Sequence, residues 1–170
     1  LAWTVALSIS YAIVMLTMPS LGAWADLRGA KKKTLMVVTA ACVVSTAALA
    51  WARPGSVALA MLLIIVSNTF YSYGESITAA FLPELARPEA MGKVSGWGWA
   101  FGYVGGMLTL AGCLAYVLHA QAQGQPASAF VPVTMWITAA VYGLAACVTF
   151  SLLRERASGV AAVGEPASFG

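Results

Sequence analysis

Val57-Ala-Leu-Ala-Met-Leu-Leu-Ile-Ile-Val-Ser-Asn68-Thr-Phe-Tyr71-Ser72-Tyr-Gly-Glu75-Ser-Ile-Thr78-Ala-Ala-Phe81 decides what kind of protein this is. The stretch carries one formal charge, Glu75. A helix rises about 1.5 Å per residue and the hydrocarbon core of a bilayer is about 30 Å thick, so about 20 apolar residues cross it. This run is long enough. Four further runs without any charge lie at 2–23, 34–51, 95–118 and 130–153. The whole composition agrees: of 170 residues 61% are hydrophobic and 9% charged, and mean hydropathy is +0.84. A soluble domain is about 25% charged, so these residues cannot clothe a water-facing surface. The reading is an all-α membrane protein with five transmembrane helices, with the lipid bilayer as its solvent.

Neither membrane strands nor a signal peptide accounts for the runs. Transmembrane strands would be about ten residues long with alternating polarity. Trp97, Trp99, Phe101 and Tyr103 do alternate with Gly98 and Gly102, but inside a run too long for a strand, and lipid leaves no partner for one. The first run lacks a basic leader and is too long for a signal-peptide core. Residues 154–170, rich in Ala, Gly, Ser and Val, read as a cytoplasmic tail or linker.

Charge sorts the connections. Arg28, Lys31, Lys32 and Lys33 follow the first run, Arg87 and Lys93 the third, and Arg154 and Arg156 the fifth, whereas the other two connections hold Arg53 alone. The positive-inside rule makes the rich side cytoplasmic, which puts the N-terminus outside and the C-terminus inside, in a bacterial inner membrane. Trp3, Trp51 and Trp136 then fall towards outer ends and Trp24, Trp97 and Trp99 at inner ends, as amphipathic indoles prefer. A net charge of +3 is too weak to argue for nucleic acid as a partner. Cys42, Cys113 and Cys147 sit in apolar runs without metal-ligand spacing, and His119 has no second ligand nearby, so neither metal nor cofactor is expected.

The loop Gly22-Ala-Trp-Ala-Asp26-Leu-Arg28-Gly29-Ala-Lys31-Lys32-Lys33 concentrates the polar signal. Gly29 permits a sharp turn, and the cations suit anionic headgroups. Asp26 has three possible roles: pairing with Arg28, pairing with Lys31, or capping a helix N-terminus. A topology-setting loop is the plainer account. The spacing of Gly22, Asp26, Arg28, Gly29, Lys31 and Lys32 resembles the signature loop between the second and third helices of a major facilitator superfamily half, with Leu27 and Ala30 standing where that family has basic residues. The segments Phe81-Leu82-Pro83-Glu84-Leu85-Ala86 and Val94-Ser95-Gly96-Trp97-Gly98-Trp99 onward to Gly106 are similar to the vacuolar amino-acid effluxer-like (autophagy-related) branch. The resemblance covers residues 1–154 as helices two to six and implies a partial N-terminal half, with the first helix and the second half as missing partners. It also implies that the loop is a conformational latch, and that the solute is small and polar, with amino-acid efflux as the expected direction.

Two patterns have physical readings of their own. Gly98, Gly102 and Gly106 recur at i, i+4 and i+8, a smooth ridge for close helix packing, static or sliding. Asn68, Tyr71 or Ser72, Glu75 and Thr78 share one face of the third helix. A charge at mid-membrane costs about 2.5–3.5 kcal/mol, and no intramembrane Lys or Arg is available to neutralise Glu75. It is either a hydrogen-bonded acid near the interface or a carboxylate that binds a proton or cation in a solute pathway. Weaker polar stripes run through Thr4, Ser8, Tyr11, Met15, Met18 and Gly22, and through Thr134, Thr138, Tyr142 and Thr149. With these patterns, the resemblance implies a secondary transporter of small solutes working by alternating access. The alternatives are an inactive truncated product, a non-transporting membrane subunit and, least supported, a membrane-embedded enzyme, for which no nucleophile motif or acid pair is present.

Overall fold

The computed structural model describes residues 1–52 and 55–153. Arg53 and Pro54 of the expected tight turn, and the 154–170 tail with Arg154 and Arg156, lie outside the described residues. The chain forms α1 (Ala2–Leu27), α2 (Lys31–Ala48, extended by a 3-10 turn at Leu49–Trp51), α3 (Val57–Ala80), a short α4 (Leu82–Leu85), α5 (Met91–Ala122) and α6 (Ala127–Leu152). No strand occurs among the described residues. Five of the helices are long and apolar enough to cross a membrane, so this is an integral membrane protein. The Trp97–Tyr103 alternation lies inside α5, because a helix satisfies its own backbone in hydrocarbon and a lone strand does not.

Two of the long helices, α1 and α5, end on a left-handed glycine. Gly29 has φ +55°; its N–H donates to the Asp26 carbonyl at 3.2 Å and the Ala30 N–H to Ala25 at 3.0 Å. Gly124 has φ +72°, with Gly124 donating to Gln121 at 2.9 Å and Gln125 to Ala120 at 3.0 Å. Both are Schellman closures, in which a left-handed residue turns the chain while the last carbonyls find donors. The first closure sends Lys31 back over Asp26. Pro19 within α1 and Pro132 within α6 are tolerated, as prolines are in membrane helices.

Side-chain contacts fix the helix directions. Asn68 Nδ2 donates to Ser10 Oγ at 2.7 Å, and Thr17 bonds the Tyr73 hydroxyl; both pairs advance together along α1 and α3, which are parallel. Thr46 with Ser67 at 3.1 Å, and Lys31 with Glu84 at 2.9 Å, run in opposite order and make α2 antiparallel to α3. Trp51 meets Trp136 edge to face at 5.7 Å, and Lys32 reaches the Leu153 carbonyl, so α6 is antiparallel to α2. In lateral order the helices stand α1, α3, α2, α6, α5, with α5 packed chiefly on α6.

The core is small and lies near the charged end. Leu35, Val38, Ile77 and Phe81 are buried, with Met18, Phe70, Tyr73, Phe150 and Leu153 against them. Many large apolar side chains elsewhere face outward, Phe101 69% and Met107 70% exposed among them. Water would not tolerate that surface, and lipid does.

Two glycines outside the expected ridge have side chains of neighbouring helices within contact range. A methyl group at Gly74 would stand 3.8 Å from the Tyr142 hydroxyl, 3.9 Å from Val38 and 4.0 Å from Leu35, and one at Gly143 would stand 3.7 Å from Val43. One methyl fits at Gly74 and a branched side chain does not. Gly74→Ala is expected to melt close to the parent protein in detergent. Gly74→Leu is expected to lose about 1–3 kcal/mol by overpacking, read as a lower unfolding midpoint.

Candidate functional site

At the charged end, the loop residues are drawn into a cluster that joins four helices. Lys31, the first residue of α2, places its ammonium 3.1 Å from Asp26 Oδ1 and 2.9 Å from Glu84 Oε1. Asp26 belongs to the last turn of α1 and Glu84 to α4, immediately after α3. Lys32 donates to the carbonyl that ends α6, where the helix dipole also favours a cation. Consecutive lysines therefore tie α1, α2, α4 and α6 at one level. Of the three roles open to Asp26, the structure selects pairing with Lys31. Arg28 instead lies over the Trp24 ring, 5.2 Å from its centroid, a cation–π contact worth about 0.5–1 kcal/mol when exposed. Neither Asp26 nor any other side chain caps α2. Gly22 sits one turn before Asp26 with open space beside it.

Glu84 is the member that sequence reasoning did not single out. Its signal is visible in hindsight: Pro83 followed by an acid opens a helical turn, where the dipole favours a carboxylate. The three charges differ in exposure. Lys31 and Glu84 side chains are 16% and 17% exposed and Asp26 is 62% exposed. Glu84 Oε2 is buried without a hydrogen-bond partner among the described residues. The inner pair is shielded and the outer acid faces open space.

Deeper in the bundle, the polar face of α3 divides. Asn68 turns to α1 and holds Ser10, which is fully buried and donates to the Leu7 carbonyl at 2.8 Å. It serves helix association, worth about 1 kcal/mol in membranes, and does not stand with the exposed group. Tyr71, Glu75 and Thr78 are all exposed on the side of α3 turned away from its packed neighbours. The Thr78 hydroxyl donates back to the Gly74 carbonyl at 2.7 Å. Glu75 makes no ion pair among the described residues. Tyr71 precedes Glu75 by one helical turn on this face of α3. Of the two weaker stripes, Tyr142 is a helix contact, its hydroxyl 3.8 Å from where a Cβ at Gly74 of α3 would stand.

The ridge of Gly98, Gly102 and Gly106 does not make the close packing its spacing suggests. A Cβ at any of the three would meet nothing within 4 Å. Among the described residues α5 packs chiefly on α6, and these glycines lie off that contact. No group of three or more His, Cys, Asp or Glu that could hold a metal occurs among the described residues. At the uncharged end a shallow groove is lined by Leu49, Trp51, Ser56, Val131 and Pro132, remote from the acidic face of α3.

Comparison with known proteins agrees with this architecture. A family model described as vacuole effluxer Atg22 like matches residues 3–165. A relative from Bacillus subtilis (strain 168), described as the uncharacterized MFS-type transporter YxiO, is 35% identical over 146 residues, covering 85% of this chain. The chain spans 34% of that relative's length. No solved structure matches it.

The unequal exposure of the charged cluster sets an order of effects. Glu84→Ala is expected to lower unfolding stability by about 1–3 kcal/mol, because it leaves the shielded ammonium short of a partner. Asp26→Ala is expected to cost less than about 1 kcal/mol, as exposed pairs do. Chemical unfolding of the detergent-solubilised variants measures both, and the reverse order would contradict the assignment.

Proposed function

The chain belongs to the vacuole effluxer Atg22-like family of major facilitator transporters, and from that premise we propose that it supplies helices to a secondary transporter of small polar solutes. The observation that carries the proposal is the face of α3 on which Glu75, Tyr71 and Thr78 stand exposed, with no cation paired to the carboxylate among the described residues. Lipid is a costly environment for an acid and the Tyr71 hydroxyl beside it. An aqueous pathway, hydrated in at least one conformation, removes that cost. Glu75 is then the group that takes up a proton or cation during the cycle.

Access alternates as one half of the transporter rocks against the other around a site near mid-membrane. The cytoplasmic ends of α1, α2, α4 and α6 move as one block, because Lys31 and Lys32 bind them together. Asp26, the exposed acid of the cluster, and Arg28 beside it form the outward side of a latch that engages the opposing half in one access state. The basic loops favour the cytoplasm for the charged end and the outside for the N-terminus. The helices missing here, beyond the third of the relative's length that the chain spans, complete the pathway. Amino acids are the solute class that the family resemblance favours, moving outward. The chemistry is vectorial, without a covalent step, so the protein works as a carrier and not as an enzyme.

Proteoliposomes containing the full-length protein test the coupling. If one proton moves per solute, each pH unit of gradient is worth about 1.4 kcal/mol and supports about tenfold accumulation. Glu75→Gln should abolish that accumulation while leaving downhill exchange measurable. Accumulation that stays pH-driven and undiminished in Glu75→Gln would remove Glu75 from the coupling role.

A further inference from the structure

The groove at the uncharged end carries chemistry that the transport reading leaves unused. It offers about 660 Å³ where three helix ends meet: the close of α2 with its 3-10 turn, the start of α3 and the start of α6. Its deeper wall is apolar. Ala60 stands one turn into α3, and Val131 and Pro132 lie about 6–8 Å below the start of α6. Its mouth is polar. The first turns of α3 and α6 line it, and neither N-cap residue, Ser56 or Pro126, closes its turn with a side-chain hydrogen bond. The opening N–H groups of two helices therefore stand at one mouth. Trp51 also lines the groove and meets Trp136 edge to face at 5.7 Å. Indoles settle where headgroups meet hydrocarbon, so this pair sets the groove at that boundary.

A ligand that fits must be anionic at one end and apolar along the rest. A free anion in water would use the N–H groups and leave the apolar wall bare. A plain hydrocarbon would cover the wall and leave the donors without a partner. A glycerophospholipid satisfies both. Each helix start carries about half a positive charge, and two of them together favour a phosphate. The carbonyls that end α2 at the same mouth suit a headgroup hydroxyl or ammonium. The bilayer in which the five long helices stand supplies such molecules at the level of the Trp51–Trp136 pair.

We propose that the groove between the ends of α2, α3 and α6 binds one phospholipid from the leaflet at the uncharged end, with its phosphate over the first turns of α3 and α6 and an acyl chain along Ala60, Val131 and Pro132. The site is independent of Glu75 and of the solute. Both α3 and α6 pack on α2, and the lipid adds a second link between their starts.

Photolabelling of the full-length protein in dodecyl maltoside tests the site, with phosphatidylcholine carrying a diazirine in one acyl chain as the probe. The label should concentrate on peptides containing Trp51, Ala60 and Val131 and not on α5, whose apolar side chains also face outward. Unlabelled phosphatidylcholine should displace it at least about tenfold more effectively than diacylglycerol with the same chains, which lacks the phosphate. Inorganic phosphate should leave the label in place, because it lacks the chain. Ala127→Pro removes one N–H at the first position of α6, where proline is tolerated after the extended Pro126. It should cut the advantage of phospholipid over diacylglycerol about threefold without moving the unfolding midpoint. Ala60→Phe, which fills the apolar wall, should lower labelling of the groove peptides about fivefold. Label spread evenly over the outward-facing helices, equal displacement by diacylglycerol, or displacement by inorganic phosphate would each overturn the phospholipid site. Folded Ala127→Pro and Ala60→Phe proteins that both label as the parent does would overturn it too.

Discussion

In hydrocarbon a backbone N–H or C=O has no water to bond, and each one left unmade costs several kcal/mol. The rest of the structure follows from that constraint. It forces each long apolar run into a helix, it keeps the turns at the two ends, and it places the left-handed glycines, Gly29 and Gly124, where the chain must reverse without orphaning its last carbonyls. Even the alternating aromatic segment around Trp97 obeys it.

Hydrocarbon gives the helices little reason to prefer one another, since a leucine is as well solvated by lipid as by another leucine. The bundle uses polar contacts and small residues instead. Asn68 on Ser10, Thr17 on Tyr73, Thr46 on Ser67 and the edge-to-face pair Trp51–Trp136 each set a register between two helices. Gly74 and Gly143 leave room for the Tyr142 and Val43 side chains of neighbouring helices. At the charged end the same work is done by ions, with Lys31 between Asp26 and Glu84 and Lys32 on the end of α6. The polar residues of this chain therefore fall into two groups. Those facing neighbouring helices hold the bundle, and those on the open side of α3 stand exposed.

The two groups also divide the surface. On α5 nearly everything looks outward, the glycine ridge included, as befits a helix with one main packed neighbour in a chain that spans about a third of its relative's length. Glu75 stands exposed on the open face of α3, while the Lys31–Glu84 pair just beyond the end of that helix is shielded. Under the proposed function this separates the hinge-like block from the solute path: one is dry and locked, the other open and charged.

The helices, their number and their alternation were legible in the residues themselves, because hydropathy over about twenty positions is a local property and lipid acts on each run separately. The loop at Gly22–Lys32 was legible as a unit for the same reason, since its spacing is short and its turn is closed by Gly29. Partner choice was not. Asn68 and Glu75 sit two helical turns apart on one nominal face, yet one is spent on Ser10 and the other stays open, a difference set by where α1 lies. Glu84 looked like one more loop charge until α4 brought it against Lys31. The spacing of Gly98, Gly102 and Gly106 promised a close contact that no described helix supplies, while Gly74 and Gly143, without any pattern, face side chains of neighbouring helices. A sequence records which groups need a partner; only the packed bundle decides which helix brings it, because that depends on residues far along the chain.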